Sequence, residues 1–265
     1  MTARCAGGAK QAVHAELVKL RTLPGTGWLL LAVVALTVAV GSVTAAAVAC
    51  PASGCGQDPA KAILSGIDLS QAVVAILAVL AISGEYSTGM IRVTLTALPR
   101  RITVLTAKAV TVTGLVLAAG TVGVLASVLA GRLILPGRGF TPVHGYPLLS
   151  LANTADLRAA AGSVLYLALI GLLALGIATA VRDSAVSIGV VLGLLYLFPV
   201  IASAVAPDWS RHLQQIGPMS AGLDIQATTG LSGLPLSPWA GLGVLAAWAA
   251  AALLAGAVLL RCRDA

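Results

Sequence analysis

The sequence predicts an all-α polytopic membrane protein with six transmembrane helices, an amphipathic interfacial helix before the first, and a short cytosolic helix between the second and third. Three observations lead there. Of 265 residues, 58% are apolar before 29 glycines are added and only 9% are charged, against about 25% in a soluble domain. A mean hydropathy of +1.00 leaves too little polar surface to keep a globule of this size dispersed in water. The apolar residues also gather into six runs, each able to cross a hydrocarbon core of about 30 Å at 1.5 Å per residue.

From residue 9 to 23, Val13, Leu17 and Leu20 recur at helical spacing while Lys10, Gln11, His14, Lys19 and Arg21 take other faces. That pattern describes a helix lying along the inner membrane surface; a basic tail that only sets topology has the same composition. Pro24 and Gly25 break the helix before Trp28 enters at headgroup depth. The spans then run Trp28 to Ala49, Ile63 to Ser83, Val104 to Leu129, Ala159 to Val181, Ser184 to Val205 and Trp239 to Leu260. The second is the weakest, because Leu69 to Ser83 is short and reaches spanning length only with Ile63, Leu64 and the polar Asp68 at its outer end. The first is too long, and too far from residue 1, for the apolar core of a cleaved secretory signal.

An even number of spans puts both ends on one side. With that side inside, eleven of the sixteen basic residues are cytoplasmic, leaving Lys61, Arg132, Arg138, Arg158 and Arg211 outside. Lys and Arg are retained on the cytoplasmic side, so both termini are expected in the cytoplasm of a cell membrane. The net charge of +7 is accounted for by this topology, and nucleic acid is not an expected partner. Cys50 and Cys55 fall in the first outer loop, where the Pro51–Gly54 turn allows a disulfide; two unpaired thiols fit equally well. The outer loops 130–158 and 206–238 are rich in Pro and Gly and read as partly structured caps or as simple connections.

The inner stretch from Gly84 to Arg101 carries the most information. Ser87 or Thr88 can cap a short helix whose Ile91, Leu95 and Leu98 form one apolar stripe, and Pro99 stops it before Arg100 and Arg101. The β-branched Val93, Thr94 and Thr96 weaken that helix.

Several chemistries lack their residues. A P-loop needs Lys followed by Ser or Thr after a glycine-rich turn, but Lys10, Lys19, Lys61 and Lys108 precede Gln, Leu, Ala and Ala. No span carries an acid, base or His at its centre, as an ion-coupled carrier usually does. Gly230-Leu-Ser-Gly233 has the local look of a serine protease motif, but no His follows it. An enzyme, a metal site and a cofactor are therefore not expected. Gly189 and Gly193 form a Gly-x-x-x-Gly pair that permits close helix approach, within the chain or to a second copy.

The order Glu85, Gly89, Leu95, Pro99, Arg101, Lys108, with three, five, three, one and six residues between them, resembles the pattern of permease subunits of type-2 ABC exporters. Glu85-Tyr-Ser-Thr-Gly-Met-Ile-Arg92 is similar to the version in actinobacterial permeases of this kind, as is Ala15-Glu-Leu-Val-Lys-Leu-Arg21 before the first span. The likeness covers nearly the whole chain, 1–265, as a single permease domain by topology, and only these two stretches by motif. It implies that two six-span units, a homodimer or a pair of similar permeases, form a pathway in membrane lipid above two cassette ATPase subunits. It also implies that Glu85, Gly89, Pro99, Arg101 and Lys108 transmit ATP-driven closure to the spans. Arg92 and Arg100 join them by charge and position, and Glu16, Lys19 and Arg21 belong to the interfacial helix. An apolar or amphipathic cargo (a drug, lipid or peptide) suits walls so poor in charge. A membrane assembly subunit that transports nothing, and a secondary carrier, are the alternatives.

Overall fold

The computed structural model describes residues 13–20, 22, 24–50, 57–87, 101–141, 149–204 and 207–262. Among them there are helices and turns and no strand, and six helical segments are long and apolar enough to cross a membrane. The chain is an all-α polytopic membrane protein.

Span 1 is Pro24–Ala47, and Pro24 stands at its first turn, where a missing N–H costs nothing. Its buried residues are Val33, Thr37, Gly41 and Ala45, one narrow stripe at every fourth position. Span 2 begins earlier than Ile63 and is two helices. Asp58 caps Pro59–Leu64 by accepting the N–H groups of Ala60 and Lys61, the chain turns at Ser65 and Gly66, and Ile67–Ser87 continues the span. Gly66 allows the turn to sit against span 1, where the Thr37 carbonyl oxygen lies 2.2 Å from where a Cβ would be. The Thr37 and Ser70 hydroxyls are 2.7 Å apart beside the break. A span of marginal apolar length is thus completed by a capped first piece.

Span 3, Arg101–Ile134, extends beyond Leu129, and Arg132 in its last turn offsets the negative end of the helix dipole. Span 4, Thr154–Val181, is capped by Asn153 and ends at Arg182, whose backbone is left-handed with φ 65°. Asp183 immediately caps the next helix by accepting the Val186 N–H at 2.8 Å. Span 4 is apolar on all faces and is the central helix, 67% buried against 22% for spans 1, 5 and 6. It packs against spans 2, 3, 5 and 6.

Span 5, Ser184–Ala204, changes geometry midway. Ser184–Leu192 is α-helical, Gly193–Leu197 is a π turn, and Phe198–Ala204 resumes the α-helix. Pro199 gives the reason, since it has no N–H and its ring would meet the Leu195 carbonyl in a regular helix. A Cβ built on Gly189 or Gly193 meets nothing within 4 Å, so that pair seats no helix among the described residues. Span 6 is Pro238–Cys262. Ahead of it the last loop folds as helices Pro207–Ile216 and Pro218–Leu223, held by the Trp248 indole donating to the Ile216 carbonyl at 2.9 Å.

Candidate functional site

The end of the bundle that carries both chain termini is where the coupling residues were expected, and its described part is built around one ion pair. Residues 13–20 form a helix whose Glu16 and Leu20, one turn apart, face inward and are buried. Lys108 lies two turns into span 3 and is 1% exposed. Its Nζ donates to Glu16 Oε2 at 2.8 Å and to the Ala81 carbonyl of span 2 at 3.0 Å. One ammonium therefore fastens three elements: the N-terminal helix, the C-terminal end of span 2 and the N-terminal part of span 3. A lysine there without its carboxylate would be a bare charge among apolar helices, costing several kcal/mol. The pair explains why the span tolerates a charge at this buried position.

The other expected residues are distributed unevenly. Glu85 is in the last turn of span 2 and Arg101 is the first residue of span 3, so the two flank the loop between these spans; neither side chain is among those described. Gly89, Arg92, Pro99 and Arg100, with the short helix predicted between spans 2 and 3, lie outside the described residues, and so does Arg21. Lys19 is half-buried. Cys50 is disulfide-bonded; Cys55, its expected partner, is outside the described residues, and Cys262 is free and exposed. Among the described residues no group of three His, Cys, Asp or Glu side chains could hold a metal ion.

A second polar assembly, at the opposite end, escaped sequence reasoning. Where span 2 breaks, Gln71 is fully buried; its amide nitrogen donates to the Asp68 carbonyl at 3.0 Å, and its oxygen accepts the Tyr166 hydroxyl of span 4. The π turn of span 5 presents Tyr196, whose hydroxyl also donates to the Asp68 carbonyl. Asp68 Oδ1 is buried with no hydrogen-bond partner. Nearby, Asp58 accepts the Thr228 hydroxyl at 2.7 Å and the Thr229 N–H at 2.9 Å, tying the last loop to the start of span 2. Interrupted helices meeting around buried polar groups are the form that substrate sites take in transporters. The sequence signal was available in hindsight: Asp68 and Gln71 are polar residues one turn apart inside an apolar run.

Asp224 lies in the last loop, outside the spans. Burial raises its carboxyl from 3.8 to about 6, partly offset by the Lys61 charge and the Leu236 backbone, and its Oδ2 finds no partner. Well below pH 3.8 the group is neutral whether folded or unfolded. As pH rises through 3.8 toward 6 the unfolded chain ionises first, so the folded state loses stability, and above about 6 the full penalty stands. Asp224→Asn is therefore expected to unfold at the same temperature as wild type at about pH 3, below both values, and at a higher one at pH 7. Thermal unfolding in detergent at the two pH values checks this, and an unchanged difference between them would refute it.

No family model matches the chain, and no curated protein matches it either.

Proposed function

We propose that the chain is the transmembrane permease subunit of an ATP-binding-cassette exporter. It works as a homodimer or beside a similar permease, moves an apolar or amphipathic cargo, and draws on ATP hydrolysed by a separate cassette ATPase bound under the terminal end. Both termini are then cytoplasmic, as the eleven-to-five distribution of basic residues favours. The observation that carries the reading is the Glu16–Lys108 pair, 2.8 Å long and buried. It joins the two stretches that bear the family resemblance, so the helix before span 1 and the inner ends of spans 2 and 3 move as one body. Force applied from below to the loop between Glu85 and Arg101 would reach the spans without being absorbed by a loose N-terminus.

The test is co-expression with the cassette ATPase expected to be encoded beside it, followed by purification and reconstitution in liposomes. ATP turnover coupled to cargo release is the expected result, and Glu85→Lys or Arg101→Glu should uncouple the two. An ion-coupled carrier is the second reading, favoured by the unpartnered Asp68 oxygen between the broken span 2 and the π turn of span 5. Transport driven by a proton gradient with no ATPase present would establish the carrier and discard the exporter.

A further inference from the structure

Spans 3 and 4 run antiparallel and separate toward the end of the bundle opposite the termini, leaving a cavity of about 370 Å³. Val124 and Leu125 form one wall, Leu157, Ala160 and Ala161 the other, and Leu151 closes the top. At the bottom Gly120 brings the helices together: a Cβ there would touch the Leu167 and Val164 side chains at 3.5 and 3.7 Å. Protein interiors do not leave such volumes unfilled, and here the two small alanines make the gap. Thr121 contributes the one hydroxyl of the lining, and it is spent on the Leu117 carbonyl at 2.7 Å. Little polar surface remains in these walls to hold water, which needs two to four polar partners.

The cavity opens sideways. Leu125, Leu157 and Leu165 are 47%, 50% and 42% exposed, and on a spanning helix that exposure faces hydrocarbon. From Leu157 to Leu165 the groove follows eight residues of helix, about 12 Å at 1.5 Å per residue, which suits a single extended acyl chain. Above it stands Arg132. Seven residues separate it from Leu125, so it returns to the same face of span 3 within about 20° and lies about 10 Å further out. That is the step from hydrocarbon to headgroup. Arg132 is exposed, and a guanidinium matches the two oxygens of a phosphate. The acid on the facing wall, Asp156, is already engaged by the Ser150 N–H at 3.1 Å.

The geometry points to a phospholipid site: one acyl chain of a lipid in the leaflet opposite the N-terminal helix lies between spans 3 and 4, and Arg132 holds its phosphate. This site is independent of the exporter reading. An anionic headgroup is preferred over a zwitterionic one, because choline would set a second cation beside Arg132.

Native mass spectrometry of the full chain tests it. The protein is stripped in detergent, exposed to phosphatidylglycerol or to phosphatidylcholine of the same chains, and scored for retained lipid. Wild type should retain phosphatidylglycerol in preference. Ala161→Phe, at an exposed position that disturbs no core packing, should abolish retention of both lipids. Arg132→Gln should lower phosphatidylglycerol retention about tenfold, the loss of one charge-assisted contact, and remove the preference. Val190→Phe, on the exposed face of span 5, controls for added bulk and should retain lipid as wild type does. Equal retention by wild type and Ala161→Phe overturns the site. So does a groove that holds no lipid while Ala161→Phe converts a dimer mass to a monomer, since a second copy then fills it. Loss in Ala161→Phe with no change in Arg132→Gln overturns the phosphate contact.

Discussion

Lys108→Ala is expected to lower the stability of the folded protein by about 3–5 kcal/mol, the range for removing one partner of a buried ion pair. The cost arises less from the lost attraction than from what remains. Glu16 is 8% exposed and would lose the ammonium it faces in a buried setting, or release the whole helix 13–20 to reach water. Leu20, one turn along, belongs to the main core, so releasing the helix forfeits that burial too. Glu16→Gln should also cost several kcal/mol: the amide oxygen can still accept from Lys108 Nζ and the ammonium keeps its bond to the Ala81 carbonyl, but its buried charge loses the carboxylate that compensates it. The double replacement Glu16→Leu with Lys108→Met removes both charges and refills the volume, and is expected to equal or exceed wild type in stability, as apolar replacements of buried pairs often do. Thermal unfolding in detergent decides among these, and a Lys108→Ala protein as stable as wild type would falsify the account. The double variant also separates two roles. If the pair is only a fastening, it keeps ATP-coupled transport; if the strength of the latch transmits force, the protein is well folded and uncoupled.

The elements that the sequence made legible are those governed by lipid. Six apolar runs must be helices because a bilayer offers backbone groups no other partner, and all six are present, with ends displaced by up to five residues where caps decide them. Asp58 and Asn153 cap helices that begin four and five residues before the apolar runs do, since capping residues are polar and hydropathy discounts them. Lys108 was singled out from a motif, and Glu16 from the N-terminal stretch, but nothing in one sequence couples positions 92 residues apart. Gln71, Tyr166 and Tyr196 were passed over for the same reason: each is unremarked in its own helix and gains meaning only when three helices converge. The Gly189–Gly193 pair matches a known spacing, but a Cβ at either position meets nothing within 4 Å among the described residues. The close approach belongs instead to Thr37, Gly41 and Ala45, small residues four apart whose neighbours gave no reason to prefer them.

That close approach gives the other large effect. Gly66→Ala is expected to cost at least the upper end of the ~1–3 kcal/mol typical of overpacking, and Gly66→Val more. An added Cβ would stand 2.2 Å from the Thr37 oxygen and 2.7 Å from the Thr37 carbonyl carbon and Cα. All three obstacles are backbone atoms inside a helix, so no side chain can swing aside. Nor can span 1 retreat freely, because Gly41 meets the Ile63 carbonyl oxygen across the same interface, with a Cβ there only 2.1 Å away. Two helices in lipid gain nothing from the hydrophobic effect when they associate and depend on packing and hydrogen bonds. Forcing them apart breaks the Thr37–Ser70 contact and moves the turn that places Asp68 and Gln71 against spans 4 and 5. Gly114→Ala in span 3 is the matched control: a Cβ there meets nothing within 4 Å, so the exchange should stabilise by about 0.5–1 kcal/mol through helix propensity alone. Unfolding temperature and the fraction recovered monodisperse in detergent should therefore fall for Gly66→Ala and hold or rise for Gly114→Ala. Equal behaviour of the two would mean that spans 1 and 2 do not touch at Gly66, and the broken second span would lose the support that fixes its geometry.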